Sequence, residues 1–215
     1  MAQRTSTPTI DPAHSEPNRI RMTFEEFQDW YTEGRRGEWV DGEVIPFVAP
    51  KISHQDIGGF LYALLRLYVE DRDLGKVFQP IEMKLREGRS YREPDLVFVA
   101  ASKLDRLTRD GLVGPADLVI EIVSDDSVRR DRKEKFDEYE ASGVREYWVI
   151  DPRPLRQAVY AYVLGDEGIF NPIGTNASGE ISSIVLPGFW IDPAWLWQNP
   201  TPNVAETLRI IEAGR

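Results

Sequence analysis

The sequence predicts a single domain of mixed α/β (α+β) class, in which helices pack against a mixed β-sheet. Segments with helical periodicity alternate with short apolar segments, in the order helix, hairpin, helix, several strands, helix, several strands. The segment DLVIEIV is apolar almost throughout, which is typical of a central strand covered on both faces. The chain of 215 residues is long enough for one sizeable core, although two small domains would also fit this length.

The domain is expected to span residues 22–199. Residues 1–21 are rich in proline, serine and threonine and show no periodicity, so we predict a disordered N-terminal tail. Residues 200–215 are predicted to form a C-terminal extension.

The first two helices are predicted from capping signals. Thr23 and Glu26 have the spacing of a capping box and open a short amphipathic helix. Asp41-Gly42 is the strongest two-residue signal for a hairpin and separates two short strands. Ser53 is predicted to cap a long helix whose apolar stripe packs on the sheet.

The remaining elements are mainly strands. VFQPIEMKL, PDLVFVA and DLVIEIV are predicted as strands, and the helix that follows them is predicted to end at Gly143. REYWVID, QAVYAYVL and IFNPI are the next predicted strands, before a final strand and a tryptophan-rich closing segment.

Composition and charge narrow the functional classes. Hydrophobic residues make up 41% of the chain and charged residues 29%, as in folded proteins, and there is no cysteine. No apolar run is long enough to cross a membrane, and the N-terminal stretch lacks the apolar core of a secretory signal. We therefore expect a cytoplasmic protein without disulfides.

The net charge of −10 argues against a protein that coats nucleic acid by overall charge. A polyanion would need a local basic surface. The stretches SVRRDRKEK and KLREGRSYR could supply one, or they could simply be solvated charged faces.

Two carboxylates stand in or beside predicted strands. Asp95 begins an apolar strand directly after Pro94, and Glu121 lies inside DLVIEIV, on the face shared by Val119 and Val123. A carboxylate inside such a strand requires a partner, because an isolated buried charge is strongly disfavoured.

A lysine on the following helix is the expected partner. At about 100° per residue, Lys135 and Tyr139 each lie about 20° from Val128, at the centre of the apolar face. Lys135 could form a structural ion pair with Glu121, which would add little net stability. Alternatively, Asp95 and Glu121 could bind Mg²⁺ while Lys135 orients or deprotonates the attacking water.

The ordered set REPDLVFV, LVIEIVS and RDRKEKFDEYEASGVREYWVIDP resembles the "putative restriction endonuclease" (Uma-two) family within the PD-(D/E)XK nuclease superfamily. The resemblance extends from about Met22 to Pro193 and includes GEWVDGEV and SHQDI. It implies a restriction-endonuclease-like core, with a metal site where two central strands diverge.

The resemblance also implies roles for individual residues. Asp95 matches the PD aspartate and Glu121 matches the acidic residue of (D/E)XK, and both are the expected metal ligands. Val123 stands where that motif has its lysine, and Lys135 matches the lysine that this family places on the next helix.

Two further side chains are candidate accessory residues. Glu43 could supply another carboxylate to the metal, or it could be an ordinary hairpin charge. His54 could contact a phosphate or transfer a proton, or it could help to cap its helix.

The function predicted from these features is Mg²⁺-dependent endonucleolytic hydrolysis of phosphodiester bonds in DNA, with Mn²⁺ as a possible substitute and Asp95, Glu121 and Lys135 as catalytic residues. The alternative is a catalytically inactive nuclease-fold protein that binds nucleic acid or a protein partner. RNA or a single-stranded substrate is a third possibility. Relatives of this fold often dimerise, so a homodimer is a further expectation, by analogy.

Overall fold

The structure of the protein, a computed structural model, describes residues 19–32, 34–86, 89–125 and 127–214. Residues 1–18 of the predicted tail lie outside the described residues. The predicted end of the disordered tail at residue 21 is wrong, because Ile20 and Arg21 form a strand that pairs with Val44 and Glu43.

The described residues contain four α-helices and three short helical turns of other types. The α-helices are α1 (Phe24–Thr32), α2 (Ile52–Glu70), α3 (Lys135–Ser142) and α4 (Val204–Ala213). The 3₁₀-helices are Ala101–Arg106 and Pro193–Trp197, and a π-helical turn, Arg130–Glu134, leads directly into α3.

Fifteen strands connect these helices within the same part of the chain. They are β1 (Ile20–Arg21), β2 (Gly37–Val40), β3 (Glu43–Pro46), β4 (Gly75–Phe78), β5 (Met83–Arg86), β6 (Ser90–Arg92), β7 (Leu96–Ala100), β8 (Leu107–Thr108), β9 (Gly111–Val113), β10 (Leu118–Ile122), β11 (Glu146–Asp151), β12 (Ala158–Leu164), β13 (Phe170–Ile173), β14 (Ile181–Ser182) and β15 (Trp190–Ile191).

The central sheet has six strands in the order β13-β12-β11-β10-β7-β4. Strands β10 and β11 are parallel and the other neighbours are antiparallel, so the sheet is mixed, as predicted. All five residues of β10 are buried, which confirms it as a central strand. The prediction of a mixed sheet flanked by helices is therefore confirmed.

The two faces of the central sheet pack against different helices. Leu96, Phe98 and Ile120 belong to the core that includes α2. Val97 and Val119 lie on the other face, in an apolar cluster with Tyr139 of α3. This alternation follows from the two-residue period of a strand.

A second sheet, of seven strands, lies in the order β1-β3-β2-β6-β5-β9-β8. The predicted hairpin is confirmed, since Asp41 and Gly42 both adopt positive φ between β2 and β3. The predicted capping box is also confirmed: the Glu26 carboxylate accepts from the Thr23 amide at 2.7 Å, and the Thr23 hydroxyl accepts from the Glu26 amide at 3.2 Å.

Two local predictions were wrong. VFQPIEMKL does not form one strand, because its chain leaves β4 after Phe78 and enters β5 at Met83, in the other sheet. Pro80 lies between the two strands and has no amide hydrogen to donate to a ladder. Ser53 does not cap α2, since the cap is Lys51 in extended conformation, without a side-chain hydrogen bond.

The helix that contains Lys135 ends as predicted, with Gly143 in the left-handed conformation at φ 84°. Its start differs from a regular helix. The π-helical turn means that the rotation from Val128 to Lys135 is not a uniform 100° per residue. Lys135 nevertheless faces inward, with 4% of its surface exposed.

The C-terminal extension is part of the core. Asn203 caps α4 by accepting from the amides of Ala205 and Glu206, and Ile211 is fully buried in the cluster around α2. No helix in the described ranges is both long and apolar enough to span a membrane.

A glycine in α2 offers a test of the helix. Gly59 is exposed, and an added Cβ would meet nothing within 4 Å. We expect Gly59→Ala to raise the free energy of unfolding by about 0.5–1 kcal/mol, because alanine loses less backbone entropy in a helix. Gly58→Ala is the matched control, because its Cβ would lie 2.9 Å from Nε2 of Gln79. Urea denaturation measures both, and a lower midpoint for Gly59→Ala would contradict this expectation.

Candidate active site

The candidate site lies where β7 and β10 end side by side. The last paired residues are Leu96 and Ile120, and continuing this antiparallel register places Asp95 opposite Glu121. The Ile122 amide donates a 2.7 Å hydrogen bond to Oδ2 of Asp95, which ties the two strand ends together. Both carboxylates therefore lie on the side of the sheet that α3 covers.

Lys135 reaches this point from α3. Its Nζ lies 2.8 Å from Oε1 of Glu121, 3.0 Å from Oε1 of Glu38 and 3.6 Å from Oδ1 of Asp131. The Tyr139 hydroxyl donates a second hydrogen bond, also of 2.8 Å, to Oε1 of Glu121. One buried ammonium group is thus shared by three buried carboxylates.

Glu38 connects the cluster to the second sheet. It lies in β2 and is 1% exposed. Its Oε1 contacts Lys135, and its Oε2 accepts a hydrogen bond of 3.1 Å from Nη1 of Arg92. Arg92 in turn contacts Glu138 of α3 at 2.6 Å. These ion pairs hold the second sheet and α3 in a fixed position relative to the strand ends.

Asp95 is the more accessible of the two strand carboxylates, with 28% of its side chain exposed against 4% for Glu121. Nε2 of His54, near the start of α2, lies 3.2 Å from Oδ2 of Asp95. Burial lowers the pKa of His54, but the neighbouring Asp95 carboxylate outweighs that effect and the pKa is raised overall. The imidazolium form is therefore favoured beside Asp95.

The charges of the cluster are unevenly balanced. Burial raises the pKa of Glu121 to about 8, because Lys135 only partly offsets burial and the repulsion of neighbouring carboxylates. Burial also acts to raise the pKa of Glu38, but the positive charges of Lys135 and Arg92 outweigh it and lower this pKa to about 2. The lysine charge does not suffice for both glutamates, and a further cation beside Glu121 would favour its ionised form.

A cavity of about 660 Å³ opens onto these groups, and its lining includes Asp95, Glu121, Asp131, Lys135 and His54. The β3–α2 loop forms part of its rim, where Phe47 is 40% and Val48 65% exposed. The cluster is thus reached from solvent through a concave site, as expected for a catalytic centre.

The oxygens of the two strand carboxylates fit a divalent cation. Oδ2 of Asp95 and Oε1 of Glu121 are held by protein donors, whereas the other oxygen of each has no hydrogen-bond partner among the described residues. No group of three His, Cys, Asp or Glu side chains in the described ranges is spaced as a complete metal site. Mg²⁺ does not need one, because it commonly takes one or two carboxylates and completes its shell with water and substrate phosphates.

The structure brings together four of the five side chains predicted from the sequence: Asp95, Glu121, Lys135 and His54. The fifth, Glu43, lies apart from them. It pairs with Arg19 at 3.2 Å and Arg21 at 3.7 Å and does not line the cavity.

Two members of the cluster were missed by the sequence analysis. Glu38 stands opposite the buried Ile45 in the hairpin, and directly opposed residues share a face of the sheet, so its burial was implicit in the hairpin register. Asp131 precedes Lys135 by four residues, the spacing of helical neighbours, and accepts a hydrogen bond from the Ser127 hydroxyl.

The chain is similar in sequence to a described protein family and to a protein of Synechocystis. Residues 24–194 match the family Uma2, described as "Putative restriction endonuclease". A protein of Synechocystis sp. (strain ATCC 27184 / PCC 6803 / Kazusa), described as uncharacterized protein sll1609, is 26% identical over 150 residues, which are 68% of this chain and 84% of the relative.

A solved structure shares the fold. It is a crystal structure from Anabaena variabilis ATCC 29413, described as a putative nuclease belonging to DUF820. It superposes with a TM-score of 0.65 at 17% sequence identity, over 82% of this chain and 97% of the other. This likeness agrees with a mixed sheet flanked by helices.

Proposed function

The chain belongs to the Uma2 family, described as putative restriction endonucleases, and on this basis we propose that it is a metal-dependent endonuclease that hydrolyses phosphodiester bonds in DNA. Asp95 and Glu121 would hold Mg²⁺, or Mn²⁺ in its place, together with the carbonyl oxygen of Ile122. The bound ion would polarise the phosphoryl group and lower the pKa of a coordinated water. A homodimeric state and a cytoplasmic location are further predictions.

One observation carries the proposal. Asp95 and Glu121 each present one anchored carboxylate oxygen and one without a described partner, at the end of adjacent strands and within the same cavity. At Glu121, whose side chain is 4% exposed, a purely structural ion network would be expected to satisfy both carboxylate oxygens. Two carboxylates that line one cavity, each with an oxygen lacking a described partner, are instead suited to a shared cation.

Lys135 is proposed as the residue that positions the attacking water. Its Nζ stands 2.8 Å from Oε1 of Glu121, and contacts with three carboxylates raise its pKa above the usual value for lysine despite burial. Lys135 therefore acts as a proton donor and electrostatic anchor, which holds a water by hydrogen bonding and stabilises negative charge that develops on the phosphoryl oxygens. It is not suited to be the general base.

His54 is proposed to contact the substrate. Its side chain is 20% exposed at the cavity, beside Asp95, and its raised pKa favours the cationic form. An imidazolium at this position would attract a phosphate oxygen and help to align the scissile bond. The interaction with Asp95 fixes the orientation of the ring.

A catalytically inactive protein of this fold is the second candidate. The observation that favours it is the shared lysine: Glu38, Glu121 and Asp131 already surround Lys135, so the cluster is partly neutralised without a metal. In that case the cluster would join the second sheet to α3, and the cavity would bind nucleic acid or a protein partner without hydrolysis.

Supercoiled plasmid DNA distinguishes these functions. With Mg²⁺ or Mn²⁺ present, we expect the protein to convert supercoiled plasmid to nicked or linear forms, and we expect EDTA to abolish this conversion. Gel electrophoresis over time measures the rate, and a parallel reaction with RNA tests whether DNA is preferred. If neither ion supports cleavage of DNA, the proposal of a DNA endonuclease is contradicted.

A further inference from the structure

A second cavity, of about 670 Å³, adjoins the catalytic one. Pro80 and Glu93 line both cavities, so the two cavities meet at these residues. The second cavity lies between α1, strand β4 and the turn that joins β8 to β9. A strand of substrate that leaves the catalytic cavity past Pro80 would enter it directly.

Aromatic side chains form part of this cavity. Tyr31 and Phe78 line it and are both only partly buried. Phe78 and Lys76 are two residues apart in β4, which places their side chains on one face of the strand. An aromatic ring beside a cation is the combination that single-stranded nucleic acid requires, because bases stack on rings and phosphates contact cations.

Two of the cations in this cavity lack a protein partner. No ion pair or hydrogen bond of the Lys76 or Arg109 side chain occurs within the described ranges, and both residues are exposed. Lys84, by contrast, lies 3.5 Å from Glu82. Lys76 and Arg109 are therefore the basic side chains of this cavity that are available to a ligand.

The carboxylates of the cavity do not cancel these charges. Glu82 is engaged by Lys84, and Glu93 accepts a hydrogen bond from the Tyr31 hydroxyl at 3.4 Å. Only Asp110, next to Arg109, is acidic and has no partner within the described ranges. With Arg36, which lies over the Tyr31 ring, the lining carries four basic against three acidic side chains, a net charge of +1.

We propose that this second cavity holds an unpaired nucleotide of the substrate strand, with its base beside Tyr31 or Phe78 and its phosphates near Lys76 and Arg109. The proposal rests on the proposed function, since it names the form of nucleic acid that the catalytic cavity receives. A base pair could not enter a recess of this size together with its duplex neighbours, whereas an unstacked nucleotide could. The preferred substrate then contains single-stranded or distorted DNA next to the cleaved bond.

The test is binding of a fluorescent single-stranded oligonucleotide, measured by anisotropy in EDTA so that nothing is cleaved. We expect Lys76→Gln/Arg109→Gln to weaken binding roughly tenfold and to reduce the salt dependence of log K by about 1.4, the value for two phosphate contacts on a single strand. Asp110→Asn should have the opposite effect and strengthen binding.

The matched control is Arg145→Gln/Arg209→Gln, which removes the same charge from two exposed arginines that line neither cavity. Equal weakening by both double variants would show a general charge effect and overturn the assignment, as would tighter binding of the matched duplex than of the single strand. Thermal denaturation establishes that each variant is folded.

Cleavage assays separate this inference from the proposed function. If the parent cleaves DNA while the cavity variant binds single strands normally, the cavity assignment fails and the hydrolytic function stands. If the cavity variant alone loses binding while the parent cleaves neither DNA nor RNA, the cavity assignment holds and the hydrolytic function fails.

Discussion

Replacement of Lys135 by methionine is expected to lower the free energy of unfolding by about 3–5 kcal/mol, the cost of removing one partner from a buried ion pair. The ammonium group lies 2.8 Å from Glu121 and 3.0 Å from Glu38, and all three side chains are at most 4% exposed. Arg92 still neutralises Glu38 in the variant, so Glu121 is the buried acid left without a basic partner. We also expect cleavage to fall by about 10²–10⁴-fold, since the water-positioning group is lost.

The loss of stability in Lys135→Met is expected to grow as the pH rises. A glutamate whose pKa is raised in the folded state contributes stability below its unfolded pKa of about 4.3, and that contribution is lost as the pH rises through the folded pKa. The pKa of Glu121 is already raised to about 8, and removing Lys135 raises it further. Urea denaturation at several pH values should therefore show Lys135→Met losing more stability, relative to the parent, at high pH.

Two further variants separate stability from catalysis. Lys133→Met removes an exposed lysine, half of whose side-chain surface is accessible, and should change stability by no more than about 0.5 kcal/mol. Lys135→Met/Glu121→Gln also removes the ionisable group left without a partner, so it should recover part of the lost stability but none of the activity. Full activity in Lys135→Met would contradict the role assigned to the lysine.

Replacement of Asp95 by asparagine is expected to lower cleavage at least about a hundredfold while leaving the fold intact. The side chain is 28% exposed, and asparagine can still accept the hydrogen bond from the Ile122 amide. What is lost is an anionic metal ligand, whose contribution to stabilising the transition state amounts to several kcal/mol. Rates of plasmid nicking at saturating Mg²⁺ measure the effect.

Asp125→Asn is the matched control for this second experiment. Asp125 lines the same cavity but is about half exposed and pairs with Lys51. We expect it to retain nearly all of the parent's activity. Equal losses in the two variants would indicate that the overall charge of the cavity matters, and that Asp95 has no specific role as a ligand.

Much of the fold could be predicted from local patterns. The capping box of Thr23 and Glu26, the Asp41-Gly42 hairpin and the glycine at 143 each determine backbone geometry through neighbouring residues alone. The division of VFQPIEMKL between two sheets could not be predicted in this way. It depends on tertiary pairing, with Phe78 opposite Val97 and Met83 opposite Arg92 and Leu112.

In the candidate site, too, some residues could be predicted from local sequence patterns, whereas others depend on tertiary packing. Asp95, Glu121 and Lys135 could be predicted because each breaks the apolar pattern of its own element, and a charge there calls for a partner. Glu38 is distant in the chain from all of them and enters the cluster only because the second sheet packs against α3 through Arg92 and Glu138. Glu43, in the same hairpin, was the plausible alternative. The register places it on the same face as Glu38, but Glu43 pairs with Arg19 and Arg21 and only Glu38 reaches Lys135.

Metal binding by Asp95 and Glu121 tests the central claim most directly. Isothermal titration calorimetry with Mn²⁺ should compare the parent, Asp95→Asn/Glu121→Gln, and the control Glu43→Gln, whose carboxylate lies outside the cavity. We predict binding to the parent and to Glu43→Gln, and none to the double variant when circular dichroism shows that it is folded. Equal binding by the parent and the folded double variant, or no binding by the parent at millimolar Mn²⁺, would contradict a metal site at the ends of β7 and β10.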